Sequence, residues 1–194
     1  MSGIGKHQMR MICTEFNTRT EENGAPVIEG YFAVFNSIYQ IADGMTESIA
    51  PGAFSEALGG DIRGLINHDS TYVLGRNRSG TLSLREDANG LWGEIRINPN
   101  DTDAMNLWER VKRGDVDGCS IGFDIKREST EILPDGTTHW TIEEIQPLFE
   151  VSVVTFPAYE ETHVQARAAQ RDDIKRREVQ SWRERMKARI THHA

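Results

Sequence analysis

Short segments in which apolar and polar residues alternate recur along most of this chain, and turn residues separate them. Residues 81–85 and 91–97 alternate in this way, with an Asp-Ala-Asn-Gly sequence at 87–90 between them. Alternation with a period of two is typical of strands that bury one face, and Asn-Gly favours a tight hairpin turn. The pattern therefore predicts a protein built mainly from short strands.

The same pattern predicts further strands at 11–16, at 27–35, in a segment leading into His68, and at 117–126, 138–145 and 148–156. Two stretches have helical features instead. One begins at Pro51 and stops at Gly59-Gly60, and the other begins at 101 or 102, has apolar residues at three-to-four spacing, and ends at Gly114. Many short strands with two interspersed helices predict an α+β fold with a closed or nearly closed sheet, a β-barrel.

The chain from about Ala168 onward has a different composition. Ile174, Trp182, Met186 and Ile190 recur at roughly helical spacing among charged residues, which predicts one C-terminal amphipathic helix. Residues 167–194 hold nine Lys/Arg and four Asp/Glu, a net charge of +5. The other 166 residues hold 13 Lys/Arg and 26 Asp/Glu, a net charge of −13. We divide the chain into a flexible N-terminus (1–10), one domain (11–167) and a basic helical tail (168–194).

Charge and composition disfavour several classes of partner. The acidic body argues against nucleic acid, because phosphate contacts need clustered cations. No stretch approaches the roughly 20 apolar residues of a membrane span, and the N-terminus lacks the apolar region of a secretory signal.

The cysteines, Cys13 and Cys119, stand far apart and suggest reduced thiols in a cytosolic setting, although a disulfide between them remains open.

Three polar residues interrupt or flank strand-like, apolar sequence. His68 lies in Asn-His-Asp at 67–69, Ser120 in Gly-Cys-Ser-Ile-Gly-Phe at 118–123, and Glu150 within the apolar run 148–154. An unpaired polar group is costly in such surroundings. Imidazole, hydroxyl and carboxylate are the base, the nucleophile and the orienting anion of an acyl-transfer enzyme. The sequence therefore predicts one shared polar site.

Strand alternation tests whether these residues can meet. Cys119 and Ile121 share the apolar face of their strand, so Ser120 lies on the other face, next to Gly122, which leaves room for a substrate backbone. Glu150 likewise shares the non-core face of its strand with Ser152. A shared face orientation is a necessary condition for contact between Ser120 and Glu150.

Other interpretations stay open on these residues alone. Ser120, His68 and Glu150 are also common residue types for solvated strand faces and turns. Cys119 is the rival nucleophile, although alternation sends it into the core, and Asp69 is the rival for the third role. A metal site is a weaker alternative because His68-Asp69 lacks a second histidine at ligand spacing. We expect no metal and no cofactor.

Several motifs occur in an order that strongly resembles the HK97-type prohead proteases, the capsid-maturation serine proteases of tailed phages. The resemblance covers about residues 11–167. The motifs are G-Y-F-A-V-F (30–35), E-S-I-A-P-G-A-F (47–54), L-I-N-H-D (65–69), V-L-G-R (73–76), G-C-S-I-G-F (118–123), L-F-E-V-S-V-V-T-F-P-A-Y (148–159) and T-x-V-x-x-R (162–167).

The resemblance implies a β-barrel wrapped by helices, similar to the herpesvirus assemblin proteases, and a catalytic triad of Ser120, His68 and Glu150. The herpesvirus enzymes place an arginine pair shortly after the third triad member, whereas no such pair occurs here before Arg176-Arg177. The loop 155–159 is the alternative source of oxyanion donors. By analogy with the herpesvirus enzymes, a homodimer is also implied.

The implied setting is the inside of a phage prohead in the bacterial cytoplasm. The substrate would be the major capsid protein or a scaffold protein, and the enzyme would also trim itself. We expect neither a membrane nor a specific nucleic acid as partner, and hypothesise that the basic tail binds an acidic or helical scaffold. A non-catalytic assembly module on the same fold is the competing hypothesis.

Overall fold

The computed structural model of the chain describes residues 8–13, 16–22, 24–156 and 161–191. Within these residues the regular elements are strands and two α-helices, joined by turns and two short 3-10 helices. In chain order they are β1 (Gln8–Cys13), β2 (Asn17–Thr20), β3 (Pro26–Val34), β4 (Tyr39–Ala42), β5 (Met45–Ile49), β6 (Arg63–Ile66), β7 (Asp69–Arg76), β8 (Leu82–Glu86), β9 (Gly90–Arg96), α1 (Thr102–Arg113), β10 (Gly118–Ile132), β11 (Thr138–Val154) and α2 (Glu161–Thr191).

The strands form two sheets. The first has the order β1-β10-β11-β5-β4, with β6 also paired to β11 and β7 paired to β6, and the second has the order β2-β3-β9-β8. β10 runs antiparallel along one edge of β11, while β5 and β6 pair parallel with two successive stretches of its other edge. Residues 150–153 of β11 therefore lie between β10 and β6. Strand β10 contains Ser120, and β6 leads into the turn that contains His68.

The main core is formed by side chains from both sheets and from α1. Phe32 of β3, Ile95 of β9, Ile121 of β10 and Val151 of β11 are all fully buried in it. Burial of each such side chain contributes about 1.5–3 kcal/mol. The apolar faces of β10 and β11 are thereby committed to the core, so their alternate residues, Ser120 among them, face the other way.

Helix α1 follows the sequence prediction closely. The Asp101 carboxylate accepts hydrogen bonds from the backbone N–H groups of Asp103 (3.0 Å) and Ala104 (3.1 Å), and Gly114 ends the helix with a φ of 79°. These are the expected caps at each end, since an Asp accepts from exposed N–H groups and a glycine adopts the left-handed conformation without strain. The buried Trp108 donates to the carbonyl of Val27 at 3.1 Å, which docks α1 on β3.

The mixed α+β class is confirmed, but the closed barrel is not. Among the described strands, each sheet ends in unpaired edges, at β1, β4 and β7 in the first sheet and at β2 and β8 in the second. One edge of β11 pairs with two parallel strands in succession, so the first sheet branches there and does not close into a barrel.

One local prediction was wrong, and one strand beside the site was not predicted. The helix expected from Pro51 is a series of turns that ends in a 3-10 helix at Ala57–Gly59. Its backbone N–H groups at Gly52 and Phe54 are bound by the Glu86 carboxylate at 2.5 and 3.1 Å, which supports a turn there. Strand β7 was missed because it lies at a sheet edge and its first residues are exposed, without an alternating pattern.

The C-terminal helix begins at Glu161, before the predicted start at about 168, and one arginine ties it to the body. Arg167 is buried, and one of its terminal nitrogens lies 2.7 Å from a Glu47 oxygen and 2.8 Å from a Glu128 oxygen. Its guanidinium lies 4.9 Å from the Trp140 ring centre. Burial lowers the pKa of Arg167, but the hydrogen bonds and charges of Glu128 and Glu47 outweigh burial and raise it overall.

Candidate active site

His68 occupies a strained hairpin turn. Asn67 and His68 alone connect β6 to β7, and both have positive φ, 50° and 62°. Two successive left-handed residues make a tight hairpin turn in which asparagine and glycine are favoured, so the strain, roughly 1–2 kcal/mol, falls mainly on His68. Hydrogen bonds offset this cost, because Asn67 N donates to Val153 O (3.0 Å) and Asn67 Oδ1 accepts from Thr155 N (2.9 Å). Strained conformations of this kind concentrate at functional sites.

The imidazole of His68 is bound to the carboxylate of Glu150. The distance from His68 Nδ1 to Glu150 Oε1 is 2.7 Å, and the side chains are 25% and 7% exposed. A carboxylate accepts a hydrogen bond from the protonated Nδ1 and so selects the tautomer in which Nε2 carries a lone pair. Among the described residues, nothing hydrogen-bonds to Nε2 of His68. The ring is therefore oriented with a basic nitrogen available.

A second hydroxyl joins this pair. Ser152 Oγ donates to Glu150 Oε2 at 2.5 Å and accepts from the backbone N of His68 at 3.2 Å. Ser152 is fully buried. One side chain thus contacts both the carboxylate and the turn that carries the imidazole.

Ser120 lies beside this cluster on the adjacent strand. In the β10–β11 ladder, Ser120 is directly opposite Ser152, and Gly122 is opposite Glu150. Opposed residues in an antiparallel pair have Cβ atoms about 4.5–5.5 Å apart on one face of the sheet. Ser120 is 2% exposed, and no hydrogen bond between it and His68 occurs within the described part of the chain. The structure thus joins His68 to Glu150 and places Ser120 across from Ser152 without bonding it to the imidazole.

The rival residues lie outside this cluster. Cys119 is fully buried on the core face of β10, and its Sγ lies 3.3 Å from the carbonyl of Tyr31. The Asp69 carboxylate accepts from Thr71 N (2.8 Å) and Thr71 Oγ1 (2.6 Å), and these hydrogen bonds lower the pKa of Asp69. Neither group approaches the imidazole of His68 through a hydrogen bond.

An ion pair closes the other end of the His68 hairpin. Arg76, at the end of β7, donates from Nε to Asp61 Oδ1 (2.7 Å) and from a terminal nitrogen to Asp61 Oδ2 (2.6 Å). The hydrogen bonds from Arg76 lower the pKa of Asp61 to about 2. The pair therefore stays charged near neutral pH.

From the sequence alone, no role was predicted for Ser152, which contacts Glu150 and His68, or for the Asp61–Arg76 pair at the far end of the hairpin. The spacing of two residues from Glu150 placed Ser152 on the same face and could have indicated its role. Of the loop 155–159, expected to supply oxyanion donors, residues 157–159 lie outside the described residues. Within the described part of the chain, no group of three His, Cys, Asp or Glu is arranged to bind a metal ion, and no helix is long and apolar enough to span a membrane.

A histidine oriented by a buried carboxylate, beside a strand that carries a serine, has the features of a serine protease site. The model of the caudovirus prohead serine protease family matches residues 14–177, so the chain belongs to that family, as its motifs predicted. It is 33% identical over 159 residues to the prohead protease of Enterobacteria phage HK97. The alignment covers 80% of this chain and 66% of the relative, so this chain spans slightly less than two thirds of the length of the relative.

A solved structure is also similar in part. The bacteriophage T4 capsid assembly protease superposes with a TM-score of 0.47 at 14% sequence identity, over 79% of this chain and 100% of that chain.

Proposed function

We propose that this chain is a serine endopeptidase in which Ser120 is the nucleophile, His68 the general base and Glu150 the residue that orients His68. The observation that carries the proposal is the 2.7 Å hydrogen bond between His68 Nδ1 and Glu150 Oε1, which leaves Nε2 as the basic nitrogen. The position of Ser120 on the neighbouring strand, on the face shared with Glu150, supports the assignment of the nucleophile. Family membership supports the reaction type.

In the proposed reaction, His68 Nε2 takes the proton of the Ser120 hydroxyl as the oxygen attacks a peptide carbonyl. Glu150 keeps the proton on Nδ1 and stabilises the imidazolium that forms. The imidazolium then donates its Nε2 proton to the leaving amine, which departs and leaves an acyl-enzyme on Ser120. His68 next activates water, and hydrolysis of the acyl-enzyme regenerates the serine.

The substrate has limited ways to approach. Ser120 is 2% exposed, and β10 is paired on both edges, with β11 on one side and β1 on the other, where Met11 is opposite Ser120. A peptide that added to β10 as an extra strand would therefore have to replace β1. We expect a segment that covers Ser120 to move when substrate binds.

A hollow borders the hairpin that carries His68, between that hairpin and the start of α1. Its lining residues are Ile66, Thr71, Tyr72, Val73, Leu74, Asp101, Asp103 and Ala104. Tyr72 and Val73 are 46% and 45% exposed, a large fraction for apolar side chains next to a buried core. This hollow offers a mostly polar surface, with two carboxylates at its edge and the apolar side chains of Ile66, Val73 and Leu74 beside them, to a side chain of a bound peptide.

The proposed substrate is the capsid or scaffold protein of an immature phage shell, and the enzyme itself is a second substrate. The family and the phage HK97 relative, both named for prohead proteolysis, support this setting inside the prohead in the host cell. An architecture similar to the herpesvirus assemblin proteases, and a homodimer, remain proposals by analogy.

The distal half of α2 is the proposed contact with a scaffold partner. Arg167, Ala168 and Ile174 attach the helix to the body, whereas Val179, Trp182 and Met186 are 49%, 56% and 37% exposed at three- and four-residue spacing. Residues 175–187 carry six Lys/Arg and two Asp/Glu, so an acidic amphipathic helix would match both the apolar stripe and the charge. A chain shortened after Ile174 keeps the anchor and should hydrolyse peptides normally but enter proheads poorly; normal incorporation would contradict this role.

The competing function is a non-catalytic assembly module on the same fold. Incubation of the purified full chain with its capsid or scaffold partner separates the two, with intact-mass analysis of both proteins over time. The proposal predicts time-dependent shortening of the partner that is absent with Ser120→Ala and unchanged with Cys119→Ala. Permanently full-length partner and enzyme would favour the module, and loss of cleavage only in Cys119→Ala would reassign the nucleophile.

A further inference from the structure

The hydroxyl of Ser152 is the only described side-chain group that joins the carboxylate of Glu150 to the backbone of His68. It donates to Glu150 Oε2 at 2.5 Å and accepts from His68 N at 3.2 Å. Its donor and acceptor functions are therefore both used inside the candidate site. Because Ser152 is fully buried, water does not compete for either contact.

The two contacts act on different parts of the site. Glu150 is 6% exposed, and its carboxylate has one oxygen bound by the imidazole of His68 and the other bound by Ser152. A buried carboxylate with both oxygens bound cannot rotate without losing a hydrogen bond. The contact to His68 N holds a residue whose backbone, at a φ of 62°, is strained.

The same geometry excludes Ser152 as an alternative nucleophile. Its proton is directed to the Glu150 carboxylate, and the group of His68 that it contacts is the backbone N–H, not the imidazole. Its hydroxyl therefore does not contact the imidazole ring, and use of its proton for catalysis would break the contact that holds Glu150. The facing Ser120 lies on the adjacent strand, on the same face of the sheet.

We propose that Ser152 is a positioning residue, which fixes the Glu150 carboxylate and the His68 turn so that the imidazole holds its Nδ1–H tautomer and presents Nε2 to Ser120. This inference rests on the proposed function, because it assigns Ser152 a task within the Ser120–His68–Glu150 site. Outer partners that orient metal-bound histidines are commonly worth 10- to 100-fold in metal affinity or activity, and we expect an effect of the same order for a group that orients a catalytic histidine.

The first measurement compares Ser152→Ala with Ser152→Thr in the full chain. We expect Ser152→Ala to lower kcat about 10- to 100-fold with little change in KM, and to shift the acid limb of the pH profile of kcat, because the Glu150 carboxylate that binds the imidazole is no longer held in place. Ser152→Thr keeps the hydroxyl and should recover most of kcat. An alanine variant with unchanged kcat and an unchanged pH profile would overturn the proposal.

Ser48→Ala is the matched control. Ser48 is also a buried serine of the first sheet that hydrogen-bonds a histidine, with its Oγ 2.9 Å from His139 Nε2, but it lies outside the candidate site. A purely structural role for Ser152 predicts that both alanine variants lose thermal stability and keep kcat. A positioning role predicts that only Ser152→Ala loses kcat.

The second measurement does not depend on activity. Nitrogen NMR of the His68 imidazole in the Ser120→Ala background should give the Nδ1–H tautomer, and adding Ser152→Ala should produce a mixture of tautomers. An unchanged tautomer would contradict the positioning role even if the alanine variant were poorly active. If the wild-type chain cleaves nothing, the proposed function fails, but the tautomer measurement still decides whether Ser152 orients His68.

Discussion

His68 and His139 both belong to the first sheet, and their imidazoles are held in different ways. His139 lies in strand β11, is 8% exposed, and has both ring nitrogens bound at 2.9 Å, one by the hydroxyl of Thr46 and the other by that of Ser48. His68 lies in a strained turn, is partly exposed, and has one ring nitrogen bound by a carboxylate.

The difference separates a structural histidine from a candidate base. Two hydroxyl partners satisfy His139 and leave no lone pair for a substrate, so its contribution is to the stability of β5 and β11. A single carboxylate partner orients His68 and leaves Nε2 for proton transfer. Burial and hydrogen bonding alone therefore do not mark a catalytic histidine; the free nitrogen and the anionic partner do.

The sharpest test of this comparison replaces each histidine with glutamine. We expect His68→Gln to reduce cleavage of a capsid or scaffold substrate by at least about 10³-fold, since the base is lost. His139→Gln should keep activity within a few-fold of wild type, measured as kcat/KM on the same substrate. Equal losses in the two variants would remove the distinction.

The carboxylates near His68 give the next test. Glu150→Gln should lower kcat by about 10²- to 10⁴-fold, because an amide neither fixes the tautomer reliably nor stabilises the imidazolium. Asp69→Asn should stay within a few-fold, because the Asp69 carboxylate is bound by Thr71. Steady-state kinetics of both variants decides which carboxylate orients His68. A larger effect of Asp69→Asn than of Glu150→Gln would assign that role to Asp69.

For the free energy of unfolding we expect the opposite order, with His139 more important than His68. His139→Leu leaves the buried hydroxyls of Thr46 and Ser48 unpaired and should cost about 1–3 kcal/mol in the free energy of unfolding. Adding Thr46→Val and Ser48→Ala to His139→Leu should recover part of that loss, because unpaired polar groups are removed. Urea unfolding followed by circular dichroism measures both; a triple variant less stable than the single variant would indicate that packing, not pairing, dominates.

The smallest effect is expected from the Asp61–Arg76 pair that closes the His68 hairpin. Arg76 lowers the pKa of Asp61 to about 2, below its usual 3.8, so any stability from this pair is present above about 3.8 and is lost as the pH falls through about 2. Asp61→Asn should therefore lower kcat/KM by no more than a few-fold, by the same factor from pH 5 to 9. A change in the shape of that pH profile would place Asp61 inside the catalytic site.

The sequence allowed the elements around the site to be predicted better than the connections between them. Alternation placed Ser120 and Glu150 on the non-core faces of their strands, and caps fixed α1 at both ends. The turn at His68 was not predictable, because two left-handed non-glycine residues are held there by contacts with β11 that are distant in sequence.

The closed barrel was not confirmed, for a related reason. Strand patterns indicate which residues face the core, but they do not say that one edge of β11 accepts two parallel partners. The role of Ser152 also depends on pairing, since only the parallel register of β6 with β11 brings the His68 turn to its hydroxyl.

The most direct test of the central claim is covalent labelling of the full chain with a small serine-reactive fluorophosphonate, read by intact-mass and peptide mass spectrometry. An activated serine reacts far faster than ordinary hydroxyls, because its base removes the proton. We predict one adduct, on Ser120, that is lost in His68→Gln and retained in His139→Gln. An adduct on another residue, or labelling of Ser120 that does not depend on His68, would contradict it.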